Sequence, residues 1–231
     1  MRWRAQRGDW QRRGLAPIKL ETQFIVEQKL KPSLAAAGAS LDDVVKAQVY
    51  LRDRADVPAF NEAWRSQFAV APATTIIPTA TPGFVVADGR IEINTISVRR
   101  KAGRPMVEDQ STVAMRGGDL LFLSGLMASD PQGLLADVEE DTRAPFAAIA
   151  VKDQVRAIAA RAQAICQKAG TDLANMVRLQ LFFTDLSELP FAIEAWSGEL
   201  DGLPLPLSAI EVDWLPVPGA RLLADIWVHA P

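Results

Sequence analysis

Hydrophobic positions along this chain follow two rhythms, and each rhythm occurs twice. Val151, Val155, Ile158, Ala159, Ala162, Ile165, Cys166 and Ala169 recur at three- and four-residue spacing, the stripe of an amphipathic helix. The stripe predicts a helix end at Gly170, where a residue without Cβ can take the left-handed closing conformation. An earlier helix is predicted over residues 21–37, bent because Pro32 removes one backbone donor. A two-residue period then marks strands at Val44–Leu51 (VVKAQVYL) and Met176–Phe183 (MVRLQLFF). One face of each strand is apolar and packs under the helices. The other face is mixed, Lys46, Gln48 and Tyr50 in one strand and Arg178, Gln180 and Phe182 in the other. A mixed face on an interior strand has to find polar partners or water, which points to a subunit interface or a binding cleft. A short helix follows each strand, over residues 58–68 and 190–200, with proline in the first turn. Closing strands follow at residues 90–98 and 221–228, and residues 112–115 and 119–125 read as a hairpin turning at Gly117-Gly118.

The doubling of the pattern is an internal repeat. A shift of 132 residues places Ala37-Gly38 on Ala169-Gly170, Leu41 on Leu173, Val45 on Val177 and Gln48 on Gln180. The same shift places Asp53 on Asp185, Pro58 on Pro190, and Glu62-Ala63-Trp64 on Glu194-Ala195-Trp196. The paired tryptophans read as core anchors. The chain divides into a basic leader (residues 1–20), a truncated repeat (21–100) and a complete repeat (101–231). The first repeat is truncated because nothing before Glu21 resembles the hairpin, and that loss exposes a sheet edge.

Composition narrows the chemistry. With 49% hydrophobic and 23% charged residues the chain is of globular type, and no apolar run reaches the roughly 18 residues of a membrane span. The single cysteine, Cys166, leaves no intramolecular disulfide and fits a reducing, cytoplasmic compartment; it lies on the apolar stripe as a core residue. With His229 the single histidine, there is little material for a metal site or a Ser-His-Asp triad, so no metal is expected. A net charge of −3 gives no general attraction to nucleic acid or acidic membranes, although residues 1–13 carry five arginines and one aspartate.

The order of these elements resembles a known family. A hairpin ending in SG (DLLFLSG, residues 119–125) is followed by a helix ending in AG (Ala169-Gly170). Then come a strand running into a DL turn (VRLQLFFTDL, residues 177–186) and closing strands such as RIEINTISVRR (residues 90–100). In this order the features resemble the Rid family of enamine/imine deaminases, over residues 21–231. The resemblance implies an α+β, chorismate-mutase-like fold: two such units in tandem, each a mixed sheet with helices on one face. It also implies barrels of three units with active clefts between neighbours, and therefore a homo-oligomer, since one chain brings two units. The implied activity is hydrolysis of enamines and imines to keto acids and ammonia, without a cofactor. An arginine grips the substrate carboxylate and an acidic residue positions water.

Carried over residue by residue, the resemblance places Ser124 and Gly125 of FLSG and Asn61 of the first short helix at substrate-binding positions, joined by Asn94 of the first closing strand, on which the family's acidic position falls in the first repeat. The family's early tyrosine maps near Ser111. The family's arginine falls on Thr74 in APATTII (residues 71–77) and near Leu207 in LPLPLSAIEV (residues 203–212), with Pro206 and Ser208 as adjacent alternatives. The acidic position becomes Ala224 in the second repeat, with Asp225 one step along on the opposite face. Replacement cations on paper are Arg178 and Lys46 on the mixed faces and Arg221 at the start of the last strand. Glu211 and Asp225 are the candidate catalytic carboxylates. A guanidinium–carboxylate pairing contributes about 1.5–3 kcal/mol, so its loss weakens binding roughly tenfold to a hundredfold. Two functions follow: a divergent deaminase acting on a small metabolite, or a non-catalytic small-molecule-binding or scaffold protein of the same fold. RNA binding is disfavoured by the charge balance and by the lack of an interleaved aromatic and basic stripe.

Overall fold

The computed structural model describes residues 17–79, 84, 89–99, 105–109, 112–138 and 150–231. Residues 1–16 of the leader drawn over residues 1–20, and Ser111, lie outside the described residues; residues 17–20 fall in the first helix. The first repeat opens with a helical segment, α1 (Pro17–Ile25), which widens into a π-turn over Val26–Leu30 and resumes as α2 (Lys31–Ala36). Pro32 has no N–H to give to the preceding turn. The backbone adapts there, with the Lys31 N–H reaching back to the Val26 carbonyl. The chain then forms β1 (Val44–Leu51), α3 (Val57–Arg65), β2 (Ala73–Pro78) and β3 (Ile91–Ser97). The second repeat contributes β4 (Pro105–Asp109), β5 (Thr112–Gly117), β6 (Leu120–Leu123), a small ribbon β7 (Ser129–Asp130) and β8 (Gly133–Leu134), and α4 (Ala150–Lys168). It finishes with β9 (Met176–Phe183), α5 (Leu189–Glu199), β10 (Leu207–Glu211) and β11 (Leu222–His229).

Each repeat builds one mixed sheet. The first has order β2-β1-β3, with β1 and β2 parallel and β1 and β3 antiparallel. The second has order β10-β9-β11-β6-β5-β4, and within it β10, β9 and β11 repeat the same arrangement. The hairpin read from the sequence is present as β5–β6. The parallel strands β2 and β10 were not among the predicted elements. Their flanks are rich in proline, and proline is tolerated beside such edge strands, so the local pattern reads as loop.

Helices cover one face of each sheet. Under α4 and α5 lies a core of Val151, Val155, Ile158, Leu179, Leu181, Ala224 and Trp196. Under α1 and α3 lie Ile18, Val26, Ala47, Val49, Leu51, Phe60 and Trp64. The tryptophan pair thus sits in the two cores. Gly38 and Gly170 both take positive φ, 69° and 74°, and the Thr171 N–H returns to the Cys166 carbonyl to close α4. The aligned Asp53 and Asp185 both cap the short turn after their strand, each accepting a backbone N–H two residues on at 2.9 Å.

The two mixed faces meet each other inside one chain. Two apolar clusters join the repeats: Val45 and Ala73 pack with Met115 and Phe122, and Ile77 packs with Phe182, Leu215 and Leu223. Between them lies a polar network. The Lys46 ammonium, 1% exposed, is 2.5 Å from Oδ1 of Asp225, which is fully buried. Lys46 also donates to Thr75 Oγ1 at 2.7 Å and to the Leu123 carbonyl at 2.6 Å. Gln48 donates to Asp225 Oδ2 at 2.6 Å, and Thr75 Oγ1 donates to Asp225 Oδ1 at 3.1 Å. Three acceptors match the three N–H bonds of the ammonium. Burial pulls Lys46 below the ordinary lysine range, opposed by the Asp225 carboxylate.

Two measurements check this packing. Asp225→Asn leaves the Lys46 charge uncompensated and is expected to cost about 3–5 kcal/mol in chemical denaturation. The double variant Lys46→Met/Asp225→Asn removes both charges and should lose less than Asp225→Asn alone; a larger loss would show that the two residues act independently. Cys166 is buried, and burial pushes its thiol up to about 12. Iodoacetamide at pH 8 should therefore label Cys166 only after denaturation, and rapid labelling of the native protein would mean that α4 is loosely packed.

Candidate functional site

The resemblance located its site at the SG that ends the hairpin, and the structure sets that dipeptide against the other repeat. β6 runs into Ser124-Gly125, which lies along β2. The Gly125 N–H donates to the Thr74 carbonyl at 3.1 Å, and the Thr74 N–H donates to Ser124 Oγ at 3.0 Å. Ser124 Oγ in turn donates to the Val113 carbonyl at 2.8 Å. Glycine is required at 125 because an added Cβ would lie 2.9 Å from Thr75 Cγ2, a side chain already held in the buried network.

Beside this junction is a cleft of about 210 Å³ between the repeats. Asn61, Trp64 and Arg65 of α3, with Thr74 of β2, form one wall; Ser124 and Gly125 form part of the other. Val57, Ile76, Met127 and Leu223 give it an apolar lining. Trp64 Nε1 donates to Thr74 Oγ1 at 3.1 Å, and the Thr74 hydroxyl donates to the Pro72 carbonyl at 2.8 Å. The threonine at the expected arginine position thus anchors the tryptophan that lines the cleft.

Of the residues singled out from the sequence, Asn61, Ser124 and Gly125 come together here, with Thr74. The others lie elsewhere. Asp225 is buried in the ion pair with Lys46, so neither has a group free for a ligand. Glu211 is exposed at the end of β10, and its carboxylate accepts the Leu186 N–H at 2.8 Å, holding the turn before α5. Asn94 is exposed on β3 opposite Gln48. Arg178 stacks over Trp227, 4.4 Å from the ring centroid, and donates to Gln180. Arg221 pairs with Glu188 at 3.1 Å and lines a separate cleft of about 760 Å³, together with Arg54 and Gln154. Among the described residues no carboxylate lines the cleft that holds Ser124, and no group of His, Cys, Asp and Glu is placed to hold a metal ion.

The same region of the second repeat is built differently. Gln48 pairs with Thr75 and Gln180 with Ser208, so Leu207 stands where Thr74 stands. At the fixed offset Ile193 replaces Asn61 and Ser197 replaces Arg65. Without the threonine hydroxyl, Trp196 Nε1 is buried with no hydrogen-bond partner among the described residues. Arg65 was not among the sequence candidates. Its spacing of four from Asn61, which puts both on one helix face, was the available signal.

The family model described as endoribonuclease L-PSP matches this chain twice, over residues 18–99 and 104–228. A RutC family protein of Saccharolobus solfataricus is 38% identical over 79 residues, 34% of this chain and 61% of that protein. One of Pyrococcus abyssi is 45% identical over 51 residues, 22% of this chain and 39% of that protein. The matched stretches thus span less than two thirds of the length of either relative. Similar solved structures include YyfA of Yersinia pestis, a Rid-family protein of unknown function, at 19% identity and a TM-score of 0.46 over 56% of this chain and 100% of that one. Yeast Mmf1 is 14% identical with a TM-score of 0.45, over 56% of this chain and 100% of that one. With two family units in one polypeptide, this chain belongs to the endoribonuclease L-PSP family, the Rid/YjgF family, as a tandem member.

Proposed function

We propose that this protein is a small-molecule-binding member of the Rid family, with its ligand in the cleft between the repeats. The carrying observation is that cleft: Ser124 and Gly125 come from one repeat, and Asn61, Trp64 and Thr74 from the other. Its volume of about 210 Å³ is below the roughly 300–1,000 Å³ of sites for drug-sized ligands, which favours a small metabolite. Binding without turnover is favoured because the position of the family's arginine is Thr74, and because the carboxylates Glu211 and Asp225 are engaged elsewhere. A second reading, hydrolysis of an enamine or imine to a keto acid and ammonia, is supported by Ser124, Gly125 and Asn61 at the positions the resemblance assigns to substrate. Neither reading involves a membrane, and no helix among the described residues is long and apolar enough to cross one. Because the family barrel needs three units, the reading includes association of chains, and a reducing compartment suits the free Cys166.

One pair of assays separates the readings. Thermal-shift screening against small metabolites is expected to give stabilising hits, while keto-acid release from freshly generated imines stays at the buffer rate. Release above buffer would transfer the assignment to the deaminase. No response in either assay would remove both. Sedimentation is expected to show species larger than one chain, and a strict monomer would contradict the association.

A further inference from the structure

The duplication places one surface of the fold in two different settings. In the first repeat this flank is β1 with its outer neighbour β2; in the second it is β9 with its outer neighbour β10. Gln48 pairs with Thr75 and Tyr50 with Ile77, as Gln180 pairs with Ser208 and Phe182 with Ile210, so the positions correspond one to one. At the start of the central strands Val45 corresponds to Val177. The first flank is covered by the second repeat. Val45 packs with Met115 and Phe122 of the hairpin, Ile77 packs with Leu215 and Leu223, and Ser124 and Gly125 meet the outer edge of β2. The second flank is bare. Val45 is 0% exposed and Val177 48%; Ile77 is 2% exposed and Ile210 45%. Thr75 is buried, while Ser208 is exposed, and no strand lies beyond β10 among the described residues. Val177 and Ile210 stand near opposite ends of the β9–β10 pair, so the uncovered apolar surface runs along the flank. An open strand edge carrying such side chains is a template for another chain.

We propose that a second copy of this chain docks on the β9–β10 flank, flank against flank, about a two-fold axis that passes beside β10. The occupant follows from what each copy has to offer. The wall that covers a flank of this kind is built from the hairpin; the chain has one, and its own first flank already fills it. A second copy therefore brings no free wall. The matching apolar surface it does bring is its own β9–β10 flank. A surface that meets itself closes after two copies. The proposal rests on the association of chains in the reading above and names its surface. The resulting dimer holds four repeats and completes no barrel of three. The cleft at Ser124 stays clear of the contact, because it lies on the first flank.

Equilibrium sedimentation of the full chain is expected to give twice the mass of one chain. Ile210→Arg and Val177→Lys each bury a charge twice at a two-fold contact, and each should weaken self-association roughly a hundredfold or more. Val70→Arg, at a residue 43% exposed on the first repeat, is the control and should remain a dimer. All three positions are exposed, so the folded state of the variants can be verified by their unfolding midpoints. Ser208→Cys treated with a short bismaleimide should link two copies through residue 208, with Cys166 silent because it is buried. A dimer that survives both Ile210→Arg and Val177→Lys, or in which residue 208 links to no second copy, overturns the flank contact and leaves the association intact. A mass of three chains overturns the two-fold arrangement in the same way. A strict monomer overturns the association and the contact together, while the thermal-shift response of the cleft decides the ligand reading independently.

Discussion

An ammonium group without access to water has to be matched bond for bond, and the matching of Lys46 fixes how the two repeats sit together. Its three donors end on Thr75, from its own repeat, and on the Leu123 carbonyl and Asp225, from the other. Asp225 has its own lone pairs filled by Gln48 and Thr75. A displacement of one sheet against the other by a single residue would strand a charge in an apolar setting, where uncompensated ions cost several kcal/mol. Hydrophobic clusters on either side supply area, yet apolar contact tolerates sliding. The ion pair supplies register.

That register positions the cleft. Thr75 belongs to the network, and its backbone neighbour Thr74 pairs with Ser124 and Gly125. Side chains alternate along β2, so Thr75 points to the other repeat while Thr74 points to α3 and Trp64. One pair of adjacent residues thus ties the lock between the repeats to the wall of the cleft. Gly125 permits the approach, since a methyl group there would press on Thr75 itself.

The amino-acid pattern disclosed much of this fold and a smaller part of the site. Periodicity located α4, β1, β9, β11 and the hairpin, and the offset of 132 residues revealed the duplication, because these features are local or self-similar. The mixed faces of β1 and β9 announced buried polar partners. The identity of the partner was hidden, because Gln48 and Asp225 are 177 residues apart in sequence. Asp225 was read as a catalytic candidate for its position beside Ala224. The alternation that set it on the opposite face from Ala224 also turned it away from the helices and into the neighbouring repeat. Short proline-flanked strands such as β2 gave no periodic signal, and Thr74 lies on one of them.

The two repeats show what the hairpin contributes beyond its strands. Over the first repeat, Ser124 and Gly125 close a small volume, and the residues beneath remain polar and organised: Thr74 satisfies Trp64, and Asn61 and Arg65 present donors. At the matching positions of the second repeat stand Leu207, Ile193 and Ser197. There the Trp196 indole N–H has no acceptor among the described residues, and a buried donor left unpaired costs about 1–3 kcal/mol. A position that had to hold a ligand would be expected to keep the hydroxyl that relieves this cost. Thr74 keeps it where two walls meet, and Leu207 lacks it where one wall stands alone. The asymmetry of a single indole hydrogen bond therefore follows the asymmetry of the cleft between the repeats.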